Sequence, residues 1–195
     1  MTLIGLTGGI GMGKSASTDL LRARAVPVID TDILARDIVE PGQPALAELQ
    51  QAFGFDIIGA DGRLRRDELA RRVFADPVAR LQLETILHPR IRALWRAQVD
   101  IWQGEGRALG IVVIPLLFET NAEIDFTARI CVACSAATQR QRLLARGWTE
   151  EHIAHRLSAQ WPTEQKMAKA DYVIWTEGTL DVHAAQLDRI LKSAA

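Results

Sequence analysis

Five short apolar runs punctuate the chain: Leu3–Thr7, Val26–Asp30, Gly110–Leu117, Arg129–Ala133 and Tyr172–Trp175. Several are apolar on both faces, the pattern of strands in a parallel sheet covered by helices. The stretches between them are helical in composition. Lys14–Arg24 follows the first run, and Ala136–Arg146 and Glu150–Gln160 precede the last. This alternation predicts a doubly wound α/β fold, a five-stranded parallel sheet flanked by helices and joined by right-handed crossovers.

One segment breaks the alternation. About eighty residues separate the second run from the third, far more than a crossover needs. Turn signals stand at Pro41-Gly42 and Ala60-Asp61-Gly62. Helical spacing follows in Leu69, Val73 and Phe74, then in Leu87, Ile91, Leu94 and Trp95. We read a helical insertion that forms a substrate platform, with a purely structural subdomain as the alternative. There is no internal repeat and no low-complexity tract.

Composition narrows the function. The chain has 195 residues, 48% hydrophobic and 24% charged, with a formal net charge of −1. That is a folded globular balance with no basic excess for a nucleic-acid partner. No run reaches the roughly 20 apolar residues of a membrane helix, and Met1–Leu6 lacks the features of a signal peptide. A cytoplasmic protein acting on a small molecule is expected; the oligomeric state stays open, and a monomer would suffice. The only cysteines, Cys131 and Cys134, form a lone C-x-x-C in an apolar run. Strand residues three apart point to opposite faces, so we expect two buried packing cysteines.

The sharpest chemical signal is Gly8-Gly9-Ile10-Gly11-Met12-Gly13-Lys14-Ser15, an ungapped G-x-x-x-x-G-K-[ST] between a strand and a helix. Gly8, Gly9, Gly11 and Gly13 let the backbone turn its N–H groups toward phosphate oxygens, and the new helix offers its positive end. Lys14 is expected to bridge the β- and γ-phosphates of ATP, and Ser15 to ligate Mg²⁺.

A phosphate loop alone does not name the acceptor. A guanine-specific switch needs an N-K-x-D motif, yet the only asparagine is Asn121, followed by Ala122. Asp56-Ile57-Ile58-Gly59 matches D-x-x-G but has no buried strand before it, so we treat it as chance. Asp30 and Asp32, in Val28-Ile29-Asp30-Thr31-Asp32, end the second predicted strand, the edge where open α/β sheets bind ligands. They share a face if the extended conformation persists. A carboxylate there accepts the proton of an attacking hydroxyl or holds a water on Mg²⁺; helix capping is the alternative. Gln139, Arg142 and Arg146 line one helix face, and Arg156 and Gln160 another. This suits an arginine-bearing lid over transferring phosphate; a solvated helix face is the alternative.

These residues together resemble the dephospho-CoA kinase family. The opening is Thr7–Ser15, then Asp30-Thr31-Asp32 with Arg36. The likeness continues through Val39-Glu40-Pro41-Gly42, Asp61-Gly62 with Arg66 and Leu69, Val73-Phe74 and Leu87-His88-Pro89. It returns at Pro115-Leu116-Leu117-Phe118-Glu119, Gln139 with Arg142 and Arg146, Arg156 with Gln160, Lys166, and Ala170-Asp171.

The resemblance implies a kinase that transfers the γ-phosphoryl group of ATP, with Mg²⁺, to the ribose 3′-hydroxyl of dephospho-CoA, the last step of coenzyme A synthesis. It implies one P-loop kinase domain in three parts: a core of residues 1–30, 107–135 and 171–195, a CoA-side insertion of about 31–106, and a lid of about 136–170. It assigns the base to Asp32, assistance to Asp30 and stabilisation of the transferring group to Lys14 and Arg142. Nucleotide contacts fall on the loop residues including Met12, and on Ala16, Arg142 and Thr176. Substrate contacts fall on Asp32, Arg36, Arg66, His88 and Leu117, although His88 reads equally as a structural histidine at a helix junction. Ala16 and Thr176 depart from the family's usual Thr and Asn, and Arg65 from a usual acidic residue. Another small-molecule P-loop kinase of the shikimate kinase type, or a non-catalytic nucleotide-binding protein, is the alternative.

Overall fold

A computed structural model of the chain describes residues 1–194, and of Phe74, Ala75 and Ala194 the backbone alone. The expected apolar contact of Phe74, and Ala195 at the end of the expected core, lie outside the described residues.

Five strands, β1 (Thr2–Thr7), β2 (Val28–Asp30), β3 (Leu109–Val113), β4 (Ala128–Ala133) and β5 (Tyr172–Trp175), form one parallel sheet in the order β2-β3-β1-β4-β5. The helices are α1 (Lys14–Ala23), α2 (Thr31–Asp37), α3 (Pro44–Phe53), α4 (Arg66–Ala75), α5 (Pro77–Gly104), α6 (Ala136–Ala145), α7 (Glu150–Ser158), α8 (Thr163–Lys169) and α9 (Leu180–Ala194). The predicted doubly wound architecture is therefore present.

Two strand boundaries differ from expectation by more than one residue, each beside a proline. The third strand stops at Val113 rather than Leu117. Pro115 has no N–H for the ladder, and bonds from Thr120 N–H to the Leu116 carbonyl and from Ala122 N–H to the Leu117 carbonyl wind the next residues into turns. The second begins at Val28 rather than Val26, after Ala25 at a φ of 55° and Pro27. Neither α8 nor α9 was anticipated. α9 earns its place by burying Leu187 and Ile190 against Ile4, Leu6, Leu21 and Ile174.

Backbone contacts divide the chain into two compact units, Met1–Asp30 with Ile101–Ala195, and Thr31–Asp100. The first holds the whole sheet with α1 and α6 to α9. Within it Cys131 and Cys134 are both buried, as expected of packing cysteines, and burial pushes the Cys131 thiol up to about 11. The second unit closes on its own core, including Ile38, Leu46, Leu49, Ile57 and Leu69. Pro89 lies inside α5, and the Arg90 guanidinium donates to the Ile86 carbonyl at 2.6 Å beside the position where the proline removes a donor.

One buried cation ties the first unit together. Lys166 on α8 is 0% exposed. Its Nζ donates to Glu119 Oε1 and to the Pro115 carbonyl, both at 2.8 Å. Glu119 Oε1 also accepts the Trp161 N–H at 2.8 Å, and Thr7 Oγ1 at the end of β1 donates to the Pro115 carbonyl at 3.1 Å. The segment after β3 is thus fastened to β1 on one side and α8 on the other. Burying an ammonium costs several kcal/mol unless it is paired, and removing one partner strands the other charge. Lys166→Met is expected to lower unfolding free energy by about 3–5 kcal/mol in urea denaturation followed by tryptophan fluorescence. Adding Glu119→Gln, which removes the stranded charge, should recover much of that loss.

Candidate active site

Between β1 and α1 the chain passes through Gly8 to Gly13 with positive φ at Gly8, Gly11 and Gly13, a conformation that favours glycine. Gly8 has a φ of 147°, and a Cβ there would stand 2.3 Å from the Val132 carbonyl oxygen. Gly13, the N-cap of α1, is left-handed at a φ of 101°.

Every carbonyl of this turn accepts a side-chain donor. Lys14 Nζ donates to the Gly8 and Gly9 carbonyls at 2.8 and 3.1 Å. Gln139 Nε2 reaches the Ile10 carbonyl at 2.7 Å, and Arg142 Nη1 the Gly11 carbonyl at 3.5 Å. Thr176 Oγ1 donates to the Met12 carbonyl at 2.9 Å, and Ser17 Oγ to the Gly13 carbonyl at 3.4 Å. Two N–H groups are used as well, Ile10 to Gln160 Oε1 at 3.1 Å and Met12 to the Gly9 carbonyl at 3.2 Å. The N–H groups of Gly9, Gly11 and Gly13 meet no protein acceptor among the described residues. Unpaired donors at a helix N-terminus are the chemistry of an oxyanion site.

The helix after β4 supplies two of these grips. Ser135 caps α6 by accepting the Thr138 N–H, and Glu177 accepts from Ser135 N–H and Thr138 Oγ1 at 2.9 and 2.7 Å. Those bonds, with one from Trp175 Nε1, hold the Glu177 carboxyl at about 2. Gln139 is buried, and Arg142 forks onto Thr176, Nη1 at 2.8 Å from Oγ1 and Nη2 on the carbonyl. Of the three residues expected on one face, Gln139 and Arg142 meet the loop, whereas Arg146 caps the C-terminus of α6 and is exposed. Arg156 lies over Trp148, 5.9 Å from the ring centroid, with its Nε 3.4 Å from His152 Nε2. Gln160 is the residue of that helix's end that reaches the loop.

Ser15 is exposed in the first turn of α1, Ala16 is half-buried behind it, and Asp30 ends β2. An exposed hydroxyl oxygen beside Lys14 fits a hard cation, which takes oxygen ligands. Leu117 is fully buried, its side chain against the Gly5 backbone and its carbonyl taken by Ala122 N–H. It supports the site from the core and offers no surface to a ligand.

In the second unit, Asp32 and Arg36 stand one turn apart on α2, both exposed, and Arg66 Nη2 donates to the Arg36 carbonyl at 3.3 Å. These three expected substrate residues therefore cluster. The expected shared strand face of Asp30 and Asp32 is not formed, because α2 starts at Thr31 and Asp32 lies in its first turn, where a carboxylate complements the helix dipole. His88 is half-buried within α5, so the expected helix junction at Pro89 is replaced by a continuous helix. Burial lowers its pKa, against an opposing pull from Glu84. Asp56 of the chance D-x-x-G match is exposed and pairs with Arg72.

Ser17, His183 and Glu177 escaped the sequence reading. Ser17 Oγ lies 2.8 Å from His183 Nε2, a buried pair 166 residues apart with no local signal to announce it. Glu177 stands beside Thr176, and that adjacency was the only hint available.

Comparison with known proteins agrees with this geometry. A sequence model of the dephospho-CoA kinase family matches residues 2–181. A dephospho-CoA kinase of Anaeromyxobacter dehalogenans is 44% identical over 192 residues, covering 98% of this chain and 91% of that one. Among solved structures, TT1252 from Thermus thermophilus superposes with a TM-score of 0.86 at 34% identity over 100% of this chain and 98% of its own. A dephospho-CoA kinase from Campylobacter jejuni shares the fold, with a TM-score of 0.71 at 23% identity over 98% and 96% of the two chains. The phosphate loop is thus set in a chain whose whole length follows one family pattern: it belongs to the dephospho-CoA kinase family.

Proposed function

We propose that the chain transfers the γ-phosphoryl group of ATP to the ribose 3′-hydroxyl of dephospho-CoA, giving coenzyme A and ADP. The observation that carries this reading is the loop whose carbonyls are all held by side chains while glycine N–H groups remain for phosphate, in a chain matched by that family from residue 2 to 181.

In this reading Gly8 to Gly13 and Ala16 receive the triphosphate, and Lys14 turns its ammonium from the Gly8 and Gly9 carbonyls to the β- and γ-phosphates. Ser15 would hold Mg²⁺, with Asp30 near its outer shell; the ion supplies charge neutralisation of the phosphates. Asp32 accepts or orients the attacking hydroxyl, and Arg36, Arg66 and His88 bind the acceptor. Arg142 holds Thr176 and the Gly11 carbonyl and contributes positive charge as the phosphoryl group moves. Much of the catalysis is positioning and charge stabilisation, because the transition state is loose. The core, the CoA-side insertion of about 31–106 and the lid of about 136–170 are carried forward as functional parts. A cytoplasmic protein acting on a small molecule completes the proposal. No helix among the described residues is long and apolar enough to cross a membrane.

A coupled assay with Mg-ATP should release ADP with dephospho-CoA and not with shikimate, adenosine or no acceptor. Asp32→Asn should lower kcat about 10²-fold or more. Equal ADP release with and without every acceptor would show a hydrolase, and turnover with shikimate a different kinase.

Arg142→Ala should raise the KM for ATP and lower kcat together in steady-state kinetics. Arg142→Lys should not restore either, because a single ammonium cannot reproduce the fork on Thr176.

A further inference from the structure

We propose that His183 is a positioning residue for the nucleotide loop, acting through Ser17 on the Gly13 carbonyl where the loop enters α1. The inference rests on the ATP-binding reading above.

His183 is 4% exposed and Ser17 0% exposed, and neither belongs to the phosphate-loop motif. The Ser17 hydroxyl has one proton and two neighbours, His183 Nε2 at 2.8 Å and the Gly13 carbonyl at 3.4 Å. That carbonyl also accepts the Ser17 N–H at 3.1 Å, so the hydroxyl is its second donor and ties the first turn of α1 to α9. With Nε2 protonated, the imidazole donates to Ser17, and Ser17 passes its own proton to the carbonyl, so each group is satisfied. Burial, and secondarily the Arg142 charge, favour the neutral imidazole, which has the single donor this arrangement requires.

The imidazole stands on a fixed base. Gln186 of α9 accepts the Trp175 N–H and donates to the Trp175 carbonyl, both at 2.9 Å. Arg24 at the end of α1 meets Asp188 of α9 through Nε at 2.5 Å and Nη2 at 2.9 Å. The segment from β5 into α9 therefore grips two consecutive loop carbonyls, Met12 through Thr176 and Gly13 through His183 and Ser17. A peptide unit fixed at its carbonyl is also fixed at its N–H, so this grip sets the direction in which the loop's donors point. Loss of the imidazole should loosen that aim without touching the acceptor side.

The test uses the full-length protein and its His183→Ala, His183→Gln, Ser17→Ala and double His183→Ala/Ser17→Ala variants. ATP affinity is measured by calorimetry without acceptor, KM and kcat by the coupled assay, and folding by thermal melting. His183→Ala and Ser17→Ala should each weaken ATP binding about five- to tenfold, and the double variant no further. KM for dephospho-CoA should stay within about twofold while KM for ATP rises with the lost affinity, and His183→Gln, which retains an N–H donor, should recover most of the affinity. Unchanged ATP affinity with a lowered melting temperature would reduce His183 to packing and overturn the proposal, as would effects of the two sites that simply add. If His183→Ala does not fold, Ser17→Ala decides: intact ATP affinity in that variant overturns the proposal. Wild-type ATP binding without acceptor-dependent turnover would overturn the kinase reading while leaving the effect on affinity as the measure of this one.

Discussion

The constraint on which the rest of this structure depends is the disposal of six consecutive carbonyls. A loop that is to present its N–H groups to an anion must turn its carbonyl groups elsewhere, and a buried carbonyl without a donor is costly. From Gly8 to Gly13 the chain meets that demand with Lys14, Gln139, Arg142, Thr176 and Ser17. Those donors come from α1, α6 and the segment after β5. The helices and strands of the first unit are consequently not a neutral frame around a motif. They place the donors that give the loop its shape.

The same logic reaches below the loop. Thr7, the last residue of β1, shares the Pro115 carbonyl with Lys166, and Lys166 shares Glu119 with the Trp161 N–H. Trp161 follows Gln160, whose side-chain oxygen takes the Ile10 N–H. A continuous set of polar contacts therefore runs from the root of the loop through a buried ion pair to the end of α7 and back to the loop. An ion pair out of water is a poor source of stability but a demanding geometric requirement. Here it fixes the Trp161 backbone, and with it the neighbouring Gln160 that holds the Ile10 N–H.

How much of this could be read from the sequence depended on sequence distance. The phosphate loop was legible because eight contiguous residues carry it, and the strands because a doubly covered sheet leaves apolar runs. Strand ends were less legible where a proline intervened, as at Pro115 and Pro27. Asp30 and Asp32 were recognised as a pair, but their geometry was not, since nothing in Val28–Asp32 announces that the helix begins at Thr31 rather than after Asp32. The Ser17 and His183 contact was illegible in principle: each residue is unremarkable where it stands, and only the packing of α9 on α1 makes them a pair. In the second unit, Asp32 and Arg36 fall one turn apart because α2 begins at Thr31, and Arg66 joins them through the Arg36 carbonyl, a contact between residues 30 apart that no local pattern announces.

Thr176 shows how a departure from a family pattern can be coherent. Where the family usually carries Asn, this chain has a hydroxyl that donates to the Met12 carbonyl and accepts from Arg142. An amide side chain could supply both functions with separate atoms; a hydroxyl does so with one. It also stands close to the backbone, with Cγ2 and Oγ1 lying 3.2 and 3.3 Å from where a Cβ on Gly13 would be. The loop glycine and the small β-branched residue therefore fit one another. On this geometry the position serves as a tie between loop, arginine and β5. A substitution that preserves one donor and one acceptor at that place preserves the loop.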